Sequence, residues 1–232
     1  MHEYDKILMI LMRIIMDQNL IINVLLWIIP LSFAITLHEA AHGWMADRLG
    51  DSTARDLGRL TMNPISHIDP VGTILVPGVL MLSGASFLFG WAKPVPVMVH
   101  KLRNPRTDMI WVALAGPAAN LLMAIFWVII AKVFLGVMAQ GSTSLQFFMG
   151  MAIRGISINL VLMVFNLLPM LPLDGGRVVH GLLPRELGDK FAITEQFGMF
   201  IIVGLLVTGM ISWIISPPLN FLNSLFYGFI VG

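Results

Sequence analysis

The residues best placed by type and spacing to do chemistry are His38, Glu39 and His42, in the run His38-Glu39-Ala40-Ala41-His42. On a helix, positions i and i+4 share a face, so the two imidazoles can reach one metal ion. Two neutral nitrogen donors suit zinc, which in catalytic sites takes three protein ligands and keeps a fourth position for water. Glu39 adjoins the first imidazole and can accept the proton of a water that attacks a carbonyl. The opposing reading is a pair of histidines hydrogen-bonding between helices, with a chance glutamate between them. Ionisable groups at membrane depth are costly and usually functional, which favours the metal.

A third ligand has to come from another segment. Asp174 closes the run Asn166-Leu167-Leu168-Pro169-Met170-Leu171-Pro172-Leu173-Asp174 and is followed by Gly175 and Gly176. The two prolines extend or break the helix before it, and the glycines permit close approach of the backbone. By itself Asp174 reads equally well as a helix N-cap at the end of an apolar span. Beside the HEAAH run the ligand reading is the stronger.

The elements that must position these side chains are apolar. Of 232 residues, 57% are hydrophobic and only 12% charged, about half the charge of an ordinary soluble domain. Residues 18–37, 70–92, 109–131, 155–173 and 196–232 contain no Asp, Glu, Lys or Arg. A bilayer core takes about 20 apolar residues as a helix. The pattern therefore predicts an α-helical, multi-pass membrane protein with about five to six apolar segments. One long helix is expected from about 19 to 49, kinked at Pro30. Further spans are expected near 109–136, 146–168 and 197–215, the last stopping before Ser216-Pro217-Pro218, and a final segment at 219–232. Residues 7–16 are too short to span and are expected to lie at the interface or extend the next helix.

Segment 70–92 holds Gly72, Pro77, Gly78, Gly84 and Gly90, a poor composition for a straight helix. Arg48, Arg55 and Arg59 precede it, and Lys93, Lys101, Arg103 and Arg106 follow it. A single crossing would put these two basic groups on opposite faces, whereas a dip and return leaves both on the cytoplasmic side. A re-entrant path is expected, lining a site, because irregular backbone at membrane depth needs protein or a wet cavity around it. After it, Pro94 and Pro96 alternate with Val95 and Val97, so 93–99 reads as a short β-strand near the site. The prolines disable one edge, and the N–H groups of Val95 and Val97 would serve the other, where an unwound substrate could pair. A rigid proline-containing loop is the other reading of the same residues.

The balance of charge and the missing residue types narrow the classes. A net charge of +1 makes no case for nucleic-acid binding, and zero cysteines exclude thiolate metal sites and disulfides. No cleavable signal is expected from an N-terminus that opens with His2, Glu3 and Asp5. The expected organisation is a single transmembrane domain over 1–232, with a catalytic core at about 19–185 and C-terminal apolar segments at 196–232.

HEAAH followed by NLLPMLPLDGG, with Gly116-Pro117-Ala118-Ala119-Asn120 between them, resembles the site-2 protease family of intramembrane zinc metalloproteases. Gly90-Trp91-Ala92-Lys93-Pro94-Val95-Pro96-Val97 is similar to a stretch of the small prokaryotic members. The resemblance covers about residues 30–185 and includes no PDZ-like insertion and no CBS domain. It implies one zinc ion per chain held by His38, His42 and Asp174, with Glu39 as catalytic base. It also implies a role for Asn166, whose amide would polarise the scissile carbonyl or hold the substrate backbone; a plain interhelical hydrogen bond is the alternative. The activity implied is hydrolysis of peptide bonds within or next to transmembrane segments of single-span membrane proteins. The setting implied is the cell membrane, with the active site toward the cytoplasm. Asn120 reads as a packing position among small residues, and His67 and His180 as interfacial and helix-surface histidines.

Overall fold

The computed structural model describes residues 18–83, 90–137 and 143–231. The expected interfacial segment at 7–16, residues 84–89 of the 70–92 segment and most of the 137–145 loop lie outside the described residues. The described residues are mostly helical. Helix α1 (Gln18–Arg48) carries the HEAAH run and contains Pro30 rather than ending at it. After the single turn α2 (Thr53–Asp56) come a turn at Pro64–His67, a wide turn at Pro70–Leu75 and the short α3 (Val76–Leu82). Two long helices follow, α4 (Pro105–Val137) and α5 (Thr143–Asn166). The chain ends in α6 (Asp174–Leu182), α7 (Arg185–Ala192), α8 (Glu195–Val207) and α9 (Met210–Val231).

α4 is the hub: it packs along α5 and α1 and carries α6 at its start. Leu26 of α1, Trp127 and Ala131 of α4, Ile156 and Leu160 of α5, and Phe226 of α9 share one buried cluster. The outer faces of the same helices are equally apolar. Trp27, Trp111, Phe126 and Ile129 are each about half exposed, a surface that water would not tolerate but lipid would. Three helices, Val24–Arg48, Pro105–Leu135 and Phe147–Asn166, are long and apolar enough to cross a membrane. A fourth is available if α7 and α8, bent by 59°, act as one broken span. The helical membrane class is as expected, with three to four such helices among the described residues in place of five to six segments.

The C-terminal boundary also differs from expectation. The break falls at Gly209, not before Ser216-Pro217-Pro218. Gly209 takes φ of 72°, and its N–H and that of Thr208 donate to the carbonyls of Leu206 and Gly204, which ends α8 as a left-handed cap. Pro217 and Pro218 sit inside α9. Each proline keeps a helical φ but removes a donor and crowds the carbonyl four residues back, a disturbance that membrane helices tolerate through local adjustment and neighbouring groups.

The described ends of segment 70–92 are tied to one another. The Trp91 N–H donates to the Gly72 carbonyl (3.1 Å), Thr73 Oγ1 donates to the Trp91 carbonyl (2.9 Å), and the Lys93 N–H donates to the His67 carbonyl (2.9 Å). The two basic groups flanking it therefore lie together. Arg59 donates to the carbonyls of Lys93 and Pro94, Lys101 donates to Thr53, and the Arg103 N–H donates to Leu49. Asp51, fully buried just beyond α1, accepts from the Thr53 and Met98 N–H groups at 3.1 and 2.5 Å. Burial alone would raise its carboxyl, but hydrogen bonds from Thr53 and Met98, with the Lys101 ammonium nearby, hold it below the ordinary carboxylate value.

The strand expected at 93–99 is not formed, and no strand occurs among the described residues. Residues 91–98 are an irregular strap. The N–H groups of Trp91 and Lys93 donate to the Gly72 and His67 carbonyls, and those of Val95 and Met98 to the Glu39 and Asp51 carboxylates, so none of these four is paired in a ladder.

Candidate metal centre

Sequence spacing brings His38 and His42 onto one face of α1, one turn apart, and α4 is built to receive them. Gly116 faces both rings: a Cβ there would stand 2.4 Å from His42 Nε2 and 2.6 Å from His38 Cε1. Only a residue without a side chain lets α4 pass so close. From the third direction comes Asp174, the first residue of α6. Leu173 occupies the N-cap, so Asp174 is the first helical residue and not the cap, and its carboxylate turns toward the histidines.

The three groups converge. His38 Nε2 lies 3.2 Å from Asp174 Oδ2, His42 Nε2 lies 3.4 Å from Asp174 Oδ1, and the two Nε2 atoms are 3.0 Å apart. One ligand atom from each falls within 4.8 Å of the others, and all three residues are buried or half-buried.

The outer nitrogens set the tautomers. His38 Nδ1 stands 2.6 Å from Asn120 Oδ1, and His42 Nδ1 stands 2.7 Å from the Val112 carbonyl. Both partners are acceptors, so both Nδ1 atoms carry the proton and both Nε2 atoms present lone pairs inward. Two imidazole lone pairs and a carboxylate then face one another, with Asp174 Oδ2 buried and lacking any hydrogen-bond donor. Such a set is repulsive unless a cation lies among its members, and two nitrogens with a carboxylate match the ligand set of a catalytic metal site. The residues fit a divalent metal.

Glu39 stands beside this cluster and outside it. Its Oε2 accepts the Val95 N–H at 2.8 Å, while Oε1 has no protein partner among the described residues. This corrects the expectation that Val95 offers a free pairing donor: the N–H is directed at Glu39, and the Val95 side chain is buried against α1 at Gly43. Val97 is half-buried in the strap and pairs with no strand. Asn166 ends α5, where its Nδ2 donates to the Leu162 carbonyl at 3.0 Å; no hydrogen bond joins it to the His–Asp cluster. His67 is buried and holds the strap, its ring bonded to the Thr61 carbonyl. His180 lines a separate cavity with Arg106 and Arg177.

Sequence reasoning missed Asn120 as a partner of the site. Its amide donates to the Ala34 carbonyl and to Asn159, and Asn159 in turn donates to the Gly155 carbonyl. The signal was present in the GPAAN run, but small neighbours also describe plain helix packing.

Comparison with known proteins decides the family. Over 197 residues the chain is 39% identical to YwhC of Bacillus subtilis (strain 168), whose name describes a zinc metalloprotease; the match covers 83% of this chain and 85% of YwhC. Residues 137–208 match the model of peptidase family M50. The chain belongs to peptidase family M50, the site-2 protease family. Rip2 of Mycolicibacterium smegmatis, also named as a zinc metalloprotease, is 30% identical over 175 residues, 75% of this chain and 64% of Rip2. The sll0528 protein of Synechocystis is 34% identical over 118 residues, half of this chain and 27% of that protein. No solved structure matches the chain. Within this M50 chain the family match includes Asp174 and Asn166, and the HEAAH run lies upstream of it.

Proposed function

We propose that this M50 chain is an intramembrane zinc metalloprotease that hydrolyses peptide bonds within or beside transmembrane segments of other membrane proteins. The observation that carries the reading is the convergence of His38 Nε2, His42 Nε2 and the Asp174 carboxylate beside Glu39, with the histidines and Glu39 on a helix long and apolar enough to cross a membrane. His38, His42 and Asp174 would hold the ion, and the chemistry it supplies when bound is Lewis acidity toward a carbonyl and a water. Glu39 does the proton work. Its Oε2 is held by the Val95 N–H, so Oε1 is the oxygen that takes a proton from the attacking water. As the C–N bond breaks, the same oxygen returns that proton to the leaving amine.

A helical substrate hides its amides in its own hydrogen bonds and has to be unwound locally before attack. Asn166, at the end of α5 with no hydrogen bond to its Oδ1 among the described residues, is suited to hold an unwound backbone N–H. Val97 is the remaining strap residue suited to pair with substrate. The tied ends of segment 70–92 support a re-entrant path, and the clustering of both basic groups beside the site supports a cytoplasmic position for it.

The test is cleavage of single-span membrane substrates in reconstituted membranes. The native chain is expected to cut, and Glu39→Gln is expected to retain zinc and lose cleavage. Near-native turnover by zinc-loaded Glu39→Gln would remove Glu39 from the mechanism.

A further inference from the structure

We propose that Asn120 is a positioning residue for the metal, acting through His38: its Oδ1 holds the imidazole in the one neutral tautomer that leaves Nε2 free to bind. The inference rests on the zinc-protease reading above and deepens it.

The orientation of the Asn120 amide is determined by its surroundings. Its Nδ2 donates to two acceptors, the Ala34 carbonyl at 3.2 Å and Asn159 Oδ1 at 3.0 Å. A flipped amide would set its oxygen against both and turn its NH2 toward His38. Asn159 cannot flip to compensate, because its own Nδ2 donates to the Gly155 carbonyl at 2.8 Å. The direction is thus relayed from the α5 backbone through Asn159 and Asn120 to His38 Nδ1. Asn120 and Asn159 are both fully buried. A buried amide costs free energy unless its groups are bonded, and here the donors and acceptors match in only one arrangement.

His42 provides the contrast. Its Nδ1–H donates to a backbone carbonyl, which no side-chain substitution at Val112 removes. His38 depends on a side chain 82 residues away. If residue 120 were only a packing position, an alanine there would loosen α1, α4 and α5 without altering what His38 offers a metal.

The experiment measures zinc affinity of the full-length chain in detergent by competition with a chelator, together with the visible absorption of the Co²⁺-loaded protein. Asn120→Ala is expected to bind zinc about 10- to 100-fold more weakly and to shift the Co²⁺ band. Asn159→Ala is expected to lose affinity to a smaller degree, since the Ala34 carbonyl still holds Asn120. Ser157→Ala, which removes a bond from α5 to Tyr227 of α9 and leaves the asparagine relay intact, is expected to bind zinc as the native chain does. A folded Asn120→Ala chain with native zinc affinity and a native Co²⁺ spectrum overturns the proposal, as does an equal loss in Ser157→Ala. If Asn120→Ala does not fold, Asn159→Ala decides alone, and native affinity there overturns it. A native chain that binds no zinc would instead defeat the protease reading itself.

Discussion

The two histidines and the glutamate of HEAAH sit within five residues of one another, yet they are held by opposite kinds of structure. The imidazoles are set by helix packing. Gly116 admits them to α4, and each outer nitrogen meets an acceptor on that helix, Asn120 or the Val112 carbonyl. Glu39 is set by one backbone N–H of an irregular strap, which is itself tied down by Arg59, Asp51 and the carbonyls of His67 and Gly72. Closely packed helices resist small displacements, whereas a strap held by a handful of polar bonds can open locally. On the proposed function, metal binding and proton transfer should therefore be separable by mutation, with the metal side the less forgiving.

The largest effect is expected where the helices touch. Gly116→Ala inserts a methyl into the space of the imidazole tips, 2.4 Å from His42 Nε2. The atoms in its way are the far ends of two side chains, so the fold should survive while the ligands move. A displacement of about 1 Å at a reacting centre can cost about 10²-fold. Zinc content of the purified variant should fall along with cleavage. Native zinc content in Gly116→Ala would mean the two rings are not confined by α4.

The strap is the second target, with a different signature. Val95→Pro deletes the N–H that holds Glu39. A hydrogen bond to a charged group contributes about 1.5–3 kcal/mol, so cleavage should drop by about 10- to 100-fold with zinc retained. Pro94→Ala leaves that N–H and the Arg59 contacts in place and should cost little. Loss of zinc in Val95→Pro would merge the two regions into one and break the comparison.

The smallest effect concerns what holds the strap. Asp51 has a lowered carboxyl pKa, so its contribution is fully present above the ordinary aspartate value of about 3.9 and is lost as pH falls through the lower folded value. Hydrogen exchange at Met98, corrected for intrinsic rate, should stay protected at neutral pH and weaken only in acid. Asp51→Asn retains one acceptor for two donors and should reduce that protection by about 1–3 kcal/mol, with no acid step. Unchanged exchange at Met98 in this variant would show that Asp51 does not anchor the strap.

The same contrast explains what could be read from the residues in order. The shared face of His38 and His42 is legible because an i, i+4 pair depends only on helix geometry, whereas Asp174 by its own neighbours reads equally as an N-cap and is singled out only beside HEAAH. Asn120 was not, since its partner lies 82 residues away and the small residues around it describe packing equally well. Gly116 does serve close approach, but what approaches is a pair of imidazoles rather than another helix. The strap misled for a related reason. Alternating Pro and Val suggests a strand with one live edge, whereas the Val95 donor ends on Glu39, 56 residues earlier, and the next bonded donor is Met98, on Asp51, 47 residues earlier. Helix breaks followed proline in the sequence reading, yet Gly209 ends α8 and two prolines pass through α9.

The measurement closest to the central claim is zinc per chain, paired with substrate cleavage, in the native protein, Asp174→Ala and Glu39→Gln. In the proposed site Asp174→Ala would leave two protein ligands, fewer than a catalytic zinc site uses. The account predicts that Asp174→Ala loses both zinc and cleavage, while Glu39→Gln keeps zinc and loses cleavage. Full zinc and full cleavage in Asp174→Ala would contradict it.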